Sequence, residues 1–283
     1  MLKNFFYKNL KKLFKFDVII KSNNFIINLP FNHNYLEYKR DYPNYDEFIL
    51  KIVKSLGKKN YSIIDVGANC GDTIIPMFFK NKNKKYYGIE PDELFYNYLK
   101  KNIYQNKLSN KIKIFKNFIT SKKKNGFLTG SSGTKKFIPS KINKIENQIT
   151  LDKFIDINFI KNLEFIKIDT DGYDYDVLKS GKKIIKKFKP IIFFECQIEI
   201  KKQVKEYMNV IKNLKKHSYN FHFFDNFGNY ILKTNNLDEI KDLILYIFYQ
   251  NNFKKKSIYY YDILACTQND YKRITKLTKL TKL

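Results

Sequence analysis

Arginine is almost missing from this chain. Of 54 basic residues only Arg40 and Arg273 are arginines, and the other 52 are lysines. Proteins that read nucleic-acid bases lean on the bidentate guanidinium, so a formal net charge of +27 does not by itself indicate a nucleic-acid partner. Tryptophan is absent and alanine occurs only at Ala68 and Ala265, whereas Lys, Asn, Ile, Phe and Tyr abound. Those five residues have codons rich in A and T, so the lysine excess reads as a genomic bias carried on the surface. That surface still attracts anionic partners at long range. The cysteines are few as well: Cys70, Cys196 and Cys266 are far apart, with no C-x-x-C and no zinc spacing. A disulfide scaffold is excluded, and a reducing cytoplasm fits. Long apolar runs are also lacking. The longest, Leu243 to Tyr249, has seven residues, against the roughly 18 needed to span a bilayer. The N-terminal region alternates aromatics with lysines and offers no small-residue cleavage site, so no secretory signal is expected.

What is present suffices for a folded core. The 283 residues are 43% hydrophobic, with 22 Tyr and 26 Phe. At roughly 150 residues per domain, one large or two small domains are expected. Residues 1–60 read as an N-terminal helical preface. Leu2, Phe5, Phe6, Leu10, Leu13 and Phe14 recur at helical spacing among lysines, which makes residues 1–16 a basic amphipathic segment suited to packing on the body or to an anionic membrane surface. A second helix is predicted over Asp46 to Leu56, stopped by Gly57.

From Tyr61 short apolar runs alternate with helical patterns. Strands are predicted at 61–66, 85–89, 111–115, 163–168, 190–194, 219–224 and 258–265, and helices at 72–80, 93–106, 174–188 and 199–216. Such alternation implies crossover connections and a doubly wound α/β fold, Rossmann-like, with a mostly parallel seven-stranded sheet over residues 61–268. Residues 117–162 break the rhythm with glycines, Pro139 and Ser/Thr clusters. An insertion of that length between the third and fourth strands is expected to shape a site. Residues 269–283, with Thr-Lys-Leu repeated, match neither helical nor strand periodicity and read as a frayed basic tail.

The chemistry concentrates where the first strand ends, in Asp65-Val66-Gly67-Ala68-Asn69-Cys70-Gly71-Asp72. Glycines there allow a tight turn and close approach of a ligand, in the crevice where open α/β sheets bind ligands. The next strand ends in Glu90-Pro91-Asp92, with Glu90 23 residues beyond Gly67. A carboxylate at that tip can accept both hydroxyls of an adenosine ribose. The loop lacks the G-x-G-x-x-G order that seats a pyrophosphate on a helix N-terminus. Its acids repel a pyrophosphate but suit the ammonium of a methionine moiety, so the cofactor implied is S-adenosylmethionine. Asp65, Gly67, Asn69, Gly71, Asp72, Glu90 and Pro91 are the candidate binding residues, with Asn117 and Phe118 as neighbours of the adenine.

These two motifs resemble those of class I S-adenosylmethionine-dependent methyltransferases. A narrower resemblance, to the FkbM family, rests on Phe165-Ile166-Lys167-Ile168-Asp169-Thr170-Asp171-Gly172-Tyr173-Asp174, on Pro190-Ile191-Ile192-Phe193-Phe194-Glu195 and on Ile149-Thr150-Leu151-Asp152. Asp171 and Asp174 stand where that family usually has glutamates. The resemblance covers about residues 28–266. It implies methyl transfer to a hydroxyl, commonly of a carbohydrate or natural product.

Such a transfer needs an aligned acceptor, exclusion of water and a base for the hydroxyl proton. Asp169, ending the fourth strand, and Asp171 around the turn are the candidate catalytic residues, with helix capping as the alternative role. His222, within Phe221-His222-Phe223-Phe224, is a further candidate base or else a core residue, and His33 could reach the acceptor pocket. Asp169, Asp171 and Glu195 lack a neighbouring His and a fixed spacing, so no metal is expected. Cys70 has no partner base and is not read as a nucleophile. The expected acceptor is a glycan hydroxyl. A nucleic-acid methyltransferase is the alternative enzyme, but the turn after the fourth strand lacks the proline pair used on base amines. A non-catalytic basic binding module with the same fold is the third reading.

Overall fold

The computed structural model describes residues 16–279. The basic amphipathic segment 1–16 therefore lies, apart from Phe16, outside the described residues. The preface is not wholly helical. A hairpin of β1 (Val18–Lys21) and β2 (Ile26–Leu29) comes first, then α1 (Tyr35–Asp41) and α2 (Glu47–Ser55). Helix α2 buries Phe48, Ile49, Ile52 and Val53 on one face, as its periodicity requires.

The alternating part follows the predicted order closely: β3 (Ser62–Val66), α3 (Ile74–Lys80), β4 (Lys85–Ile89), α4 (Glu93–Gln105) and β5 (Ile112–Phe115). The insertion holds β6 (Phe118–Ile119), a hairpin of β7 (Asn125–Thr129) and β8 (Lys136–Lys144), then β9 (Gln148–Ile149) and α5 (Leu151–Ile157). Next come β10 (Leu163–Ile168), α6 (Asp174–Ser180), α7 (Lys182–Phe188), β11 (Ile191–Gln197), α8 (Lys201–Lys216), β12 (Tyr219–Asp225) and β13 (Tyr230–Thr234). The chain then runs through α9 (Leu237–Gln250), β14 (Tyr260–Thr267) and α10 (Gln268–Lys279). The run expected as one helix over 174–188 breaks at Gly181, against which Leu151 of α5 packs.

The main sheet has eight strands among the described residues, in the order β13-β12-β14-β11-β10-β3-β4-β5. The expected seven are corrected by β13, an antiparallel edge strand whose half-buried residues show no clean alternation. From β11 to β5 every pair is parallel, and β14 runs antiparallel between β11 and β12. The central strands β3, β10 and β11 are buried at every position, as parallel strands covered on both faces must be. Successive residues feed opposite layers. Ile64, Ile166, Ile192 and Phe194 join the core under α5 to α9, while Ile63, Phe165, Ile191 and Phe193 join the core under the preface, α3 and α4.

One further expectation is revised. Residues 268–279 are helical rather than a frayed tail: Ile274 is fully buried and Arg273 donates to the carbonyl of Ser55 at 2.8 Å. Tyr271, Ile274 and Leu277 recur every third residue, close enough to helical spacing to give one short packing face. Among the described residues no helix is long and apolar enough to cross a membrane.

Candidate donor and acceptor site

The chain builds the sheet outward from β3 to β5, returns through the insertion, and lays β10 on the other side of β3. The carboxyl ends of β3 and β10 therefore flank the topological switch point, where open sheets bind ligands. A cleft of about 590 Å³ opens there.

Gly67 turns the chain out of β3 with φ +82°, and its backbone lies so close to Asp169 that a Cβ would sit 1.8 Å from the Asp169 carbonyl oxygen. The amides of Gly67 and Ala68 donate to the carbonyl of Ile89, tying the turn to the end of β4. Beyond it, Asn69 adopts a left-handed conformation (φ +47°). Glu90, 5% exposed, accepts the backbone amides of Asn69 (Oε2, 2.8 Å) and Asp92 (Oε1, 2.8 Å). Burial pushes its carboxyl up to about 8. Asp92 in turn caps α4 through the amide of Phe95.

A roof covers this end of the cleft. Asn69 Nδ2 donates to the carbonyl of Gly133 (2.7 Å), the amide of Asn34 to Ser132 (3.1 Å), and the amide of Lys135 to Asp171 Oδ2 (2.9 Å). Lys135 Nζ also reaches Asp92, at 3.3 Å. His33 lies beneath, with Nδ1 accepting from the amide of Tyr35 (3.2 Å) and Nε2 lying 3.4 Å from Asn69 Oδ1. Burial lowers its pKa, which favours the neutral ring. The tip of the β7–β8 hairpin and the preface thus clasp the glycine turn between them.

The floor at the end of β10 is ionic. Lys167 Nζ stands 3.1 Å from Asp169 Oδ2 and 3.2 Å from Asp65 Oδ1, an ion pair with each. Asp65 is fully buried below the cleft, and burial raises it to about 6 despite the lysine. Asp169 is the exposed member, its side chain 42% accessible. Asp174 is sequestered: its Oδ1 accepts from the amide (2.8 Å) and hydroxyl (2.5 Å) of Thr170, and its Oδ2 from the amide of Glu195 (2.7 Å). It knits the turn after β10 to β11, so the shorter acid in place of glutamate serves structure. Asp176 accepts from Thr120, Ser121 and Lys124, which anchor the insertion.

The cleft brings together Gly67, Asn69, Asp72, Glu90, Pro91, Phe118, Asp169 and Asp171, together with His33 and Glu195. Three expected binding residues stand back from it. Asp65 pairs with Lys167, Gly71 packs against Leu99 and Ile75, and Asn117 donates to the carbonyl of Asn147 (3.0 Å). At both glycines a Cβ would crowd neighbouring protein atoms, the Asp169 carbonyl oxygen at Gly67 and the Leu99 and Ile75 side chains at Gly71. His222 is a correction. It is fully buried in β12 between Tyr230 and Tyr271, away from the cleft, and burial lowers it to about 4. Its place in an aromatic run signals core, not base. The reading of residues one by one missed Lys167 as a site residue, although it lies within the quoted block. It also missed the tyrosines at 35, 38, 45, 259 and 260, which no motif marks.

The residues fit S-adenosylmethionine. Glu90, Pro91, Phe118, Asp72 and Asp169 all line the cleft, where Glu90 would meet the ribose, Pro91 and Phe118 the adenine, and Asp72 and Asp169 the cationic methionine end. The sequence that builds this crevice is that of a methyltransferase using S-adenosylmethionine. Residues 65–223, just over half of the chain, match the family model described as methyltransferase FkbM domain, and the chain belongs to that family.

No curated protein matches the chain. Among solved structures it is similar to the methyltransferase FkbM from Methylobacillus flagellatus KT, at 19% identity and TM-score 0.38, over 50% of this chain and 34% of that one. The likeness thus spans about a third of that relative. The chain is also similar to a precorrin-6y C5,15-methyltransferase from Geobacter metallireducens GS-15 (9%, TM-score 0.43, 78% and 88% covered). A third likeness is to M. jannaschii TYW2 in complex with AdoMet (16%, TM-score 0.42, 89% and 84% covered). These values are too low for an acceptor to be read from them.

Proposed function

We propose that the protein methylates a hydroxyl of a carbohydrate, a cell-surface glycan or its precursor. The observation that carries this reading is the chemistry of the cleft lining. Seven carboxyl-bearing residues line it (Asp46, Asp72, Glu90, Asp169, Asp171, Asp176 and Glu195) with four lysines, in a chain with twice as many basic as acidic residues. Burial raises Asp46, Asp72, Glu90, Asp171 and Glu195, so the lining is rich in carboxyls that hold protons and carries none of the excess positive charge that a phosphodiester strand needs. A neutral polyol finds there groups that both give and take hydrogen bonds.

S-adenosylmethionine supplies a sulfonium methyl that is already a strong electrophile, so the protein's part is alignment and proton management. Asp169, held by Lys167 and open to the cleft, is placed to accept the acceptor hydroxyl's proton; Asp171, around the turn, fixes the roof through Lys135. The preface and the 117–162 insertion shape the acceptor end. Residues 1–16, from their sequence, would hold the enzyme at an anionic inner membrane face in the cytoplasm. Their deletion is expected to reduce binding to anionic vesicles without changing donor affinity.

The test is a transfer assay with labelled donor against nucleotide sugars, glycan fragments and RNA, run at about 50 and 200 mM salt. Label in a sugar hydroxyl, nearly independent of salt, supports the reading. Label in RNA that falls by orders of magnitude over that range overturns it.

A further inference from the structure

At the end of the cleft away from the glycine turn, Glu195 has a carboxyl that nothing in the protein explains. It is 8% exposed and lines the cleft, and its Oε1 is buried with no hydrogen-bond partner among the described residues. A buried carboxyl oxygen without a partner carries a desolvation cost, one that a bound hydroxyl would remove. Burial, with Asp169, Asp171, Asp174 and Asp262 nearby, holds this carboxyl well above the usual range, so it retains a proton to donate.

Around it stands a wall of phenol rings drawn from both ends of the chain. Tyr38 and Tyr45 come from the preface, with ring centroids 5.5 Å apart; Tyr259 and Tyr260 lead into β14, with centroids 5.0 Å apart and nearly perpendicular. The two pairs are joined by a hydroxyl–hydroxyl bond of 2.7 Å between Tyr38 and Tyr259. The wall is rigidly set. The Tyr259 amide donates to Oδ1 of the fully buried Asn226, and its carbonyl accepts from Asn251 Nδ2. Strand register places Tyr260 opposite Gln197, two residues beyond Glu195. Sugar rings offer this combination its complement: C–H faces that lie against the electron-rich faces of aromatic rings, and hydroxyls that both give and take hydrogen bonds.

We propose that Glu195 with Tyr38, Tyr45, Tyr259 and Tyr260 forms the acceptor subsite, seating a sugar ring against the tyrosines with a hydroxyl hydrogen-bonded to Glu195. This rests on the carbohydrate reading above and adds to it the residues that select the acceptor, including a contribution from the preface.

The test uses the full chain saturated with S-adenosylhomocysteine and a panel of methyl glycosides of common hexoses and N-acetylhexosamines. Saturation-transfer NMR reports which ring protons touch aromatic side chains, and titration gives the sugar dissociation constant. Wild type is expected to saturate the C–H face of at least one glycoside. Glu195→Gln and Tyr259→Leu are each expected to weaken that glycoside about tenfold, roughly the loss of one buried hydrogen bond or ring contact, while the dissociation constant of S-adenosylhomocysteine stays within about twofold. The latter value also certifies the fold; if Glu195→Gln fails it, Tyr259→Leu decides alone. A glycoside that binds wild type and both variants equally overturns the subsite and leaves the carbohydrate reading standing. A wild type that neither binds nor methylates any glycoside overturns both.

Discussion

Gly67 and Asp169 are in backbone contact across the switch point: a Cβ on Gly67 would sit 1.8 Å from the Asp169 carbonyl oxygen, and Gly67 has φ +82°. The donor turn and the strand end carrying the candidate base are thereby one rigid unit. Gly67→Ala is expected to cost about 1–2 kcal/mol for the left-handed backbone alone, and more because a carbonyl cannot give way as a side chain can. Urea unfolding should show the loss, and calorimetry should show S-adenosylmethionine affinity reduced at least about tenfold. Unchanged affinity would separate the two functions of this contact.

Glu90 has both oxygens on backbone amides yet faces the donor cleft. Glu90→Gln keeps the shape but replaces one accepting oxygen with a donor, so the Asn69 or Asp92 amide and a ribose hydroxyl lose a partner. Donor affinity is expected to fall about 10- to 100-fold at pH 8.5, the worth of one or two charge-assisted bonds. Calorimetric titration checks this.

Several buried acids have raised pKa values: Glu90 about 8, Asp46 and Asp174 about 7, Asp65 and Asp171 about 6. Unfolded, they titrate near 4. Between those limits the folded state binds more protons, so stability falls as pH rises. The unliganded protein should be most stable near pH 5 and lose stability towards pH 8, by at most about 1.4 kcal/mol per pH unit for each proton involved. Melting temperatures across that range check it, and Glu90→Gln should flatten the upper part of the slope.

At Gly133 the hairpin tip of the roof meets the preface closely. A Cβ on Gly133, whose φ is +101°, would lie 2.6 Å from the His33 ring. Gly133→Val is expected to lift the hairpin tip from Asn69 and speed donor dissociation several-fold, at a stability cost of at least about 1–2 kcal/mol for a side chain on this left-handed backbone. Stopped-flow release of S-adenosylhomocysteine measures the rate, and faster proteolysis within 125–144 should accompany it.

His222 has both ring nitrogens buried without partners among the described residues. His222→Phe leaves the aromatic packing with Tyr230 and Tyr271 in place and removes two unsatisfied polar atoms. Stability should be unchanged or rise by about 1 kcal/mol, with methyl transfer unaltered. A large loss of turnover would restore His222 as a catalytic candidate.

The central strands and the helices between them were legible because each carries its own signal. Ser62–Val66 and Leu163–Ile168 are short, mainly apolar runs with an acid at or next to the carboxyl end (Asp65, Asp169), and Glu93–Gln105 has one apolar face. Elements whose burial depends on distant partners were not. β13 is half-buried except at the exposed Lys233, and α10 has only the face of Tyr271, Ile274 and Leu277, whose value appears once β14 brings it against α2. The same divide runs through the site. Glu90 and the glycine turn lie within two short adjoining segments, so spacing revealed them.

By itself the sequence determined the candidate donor residues, because a strand, a turn and the next strand's tip are local geometry written in consecutive residues. The proposed acceptor subsite comes only from the tertiary structure. Tyr38 and Tyr259 are 221 positions apart, and Glu195 gains its unpartnered oxygen only when β11 is enclosed between β10 and β14. Burial and long-range contact are properties of the folded chain, and neither has a period or a spacing that a sequence can display.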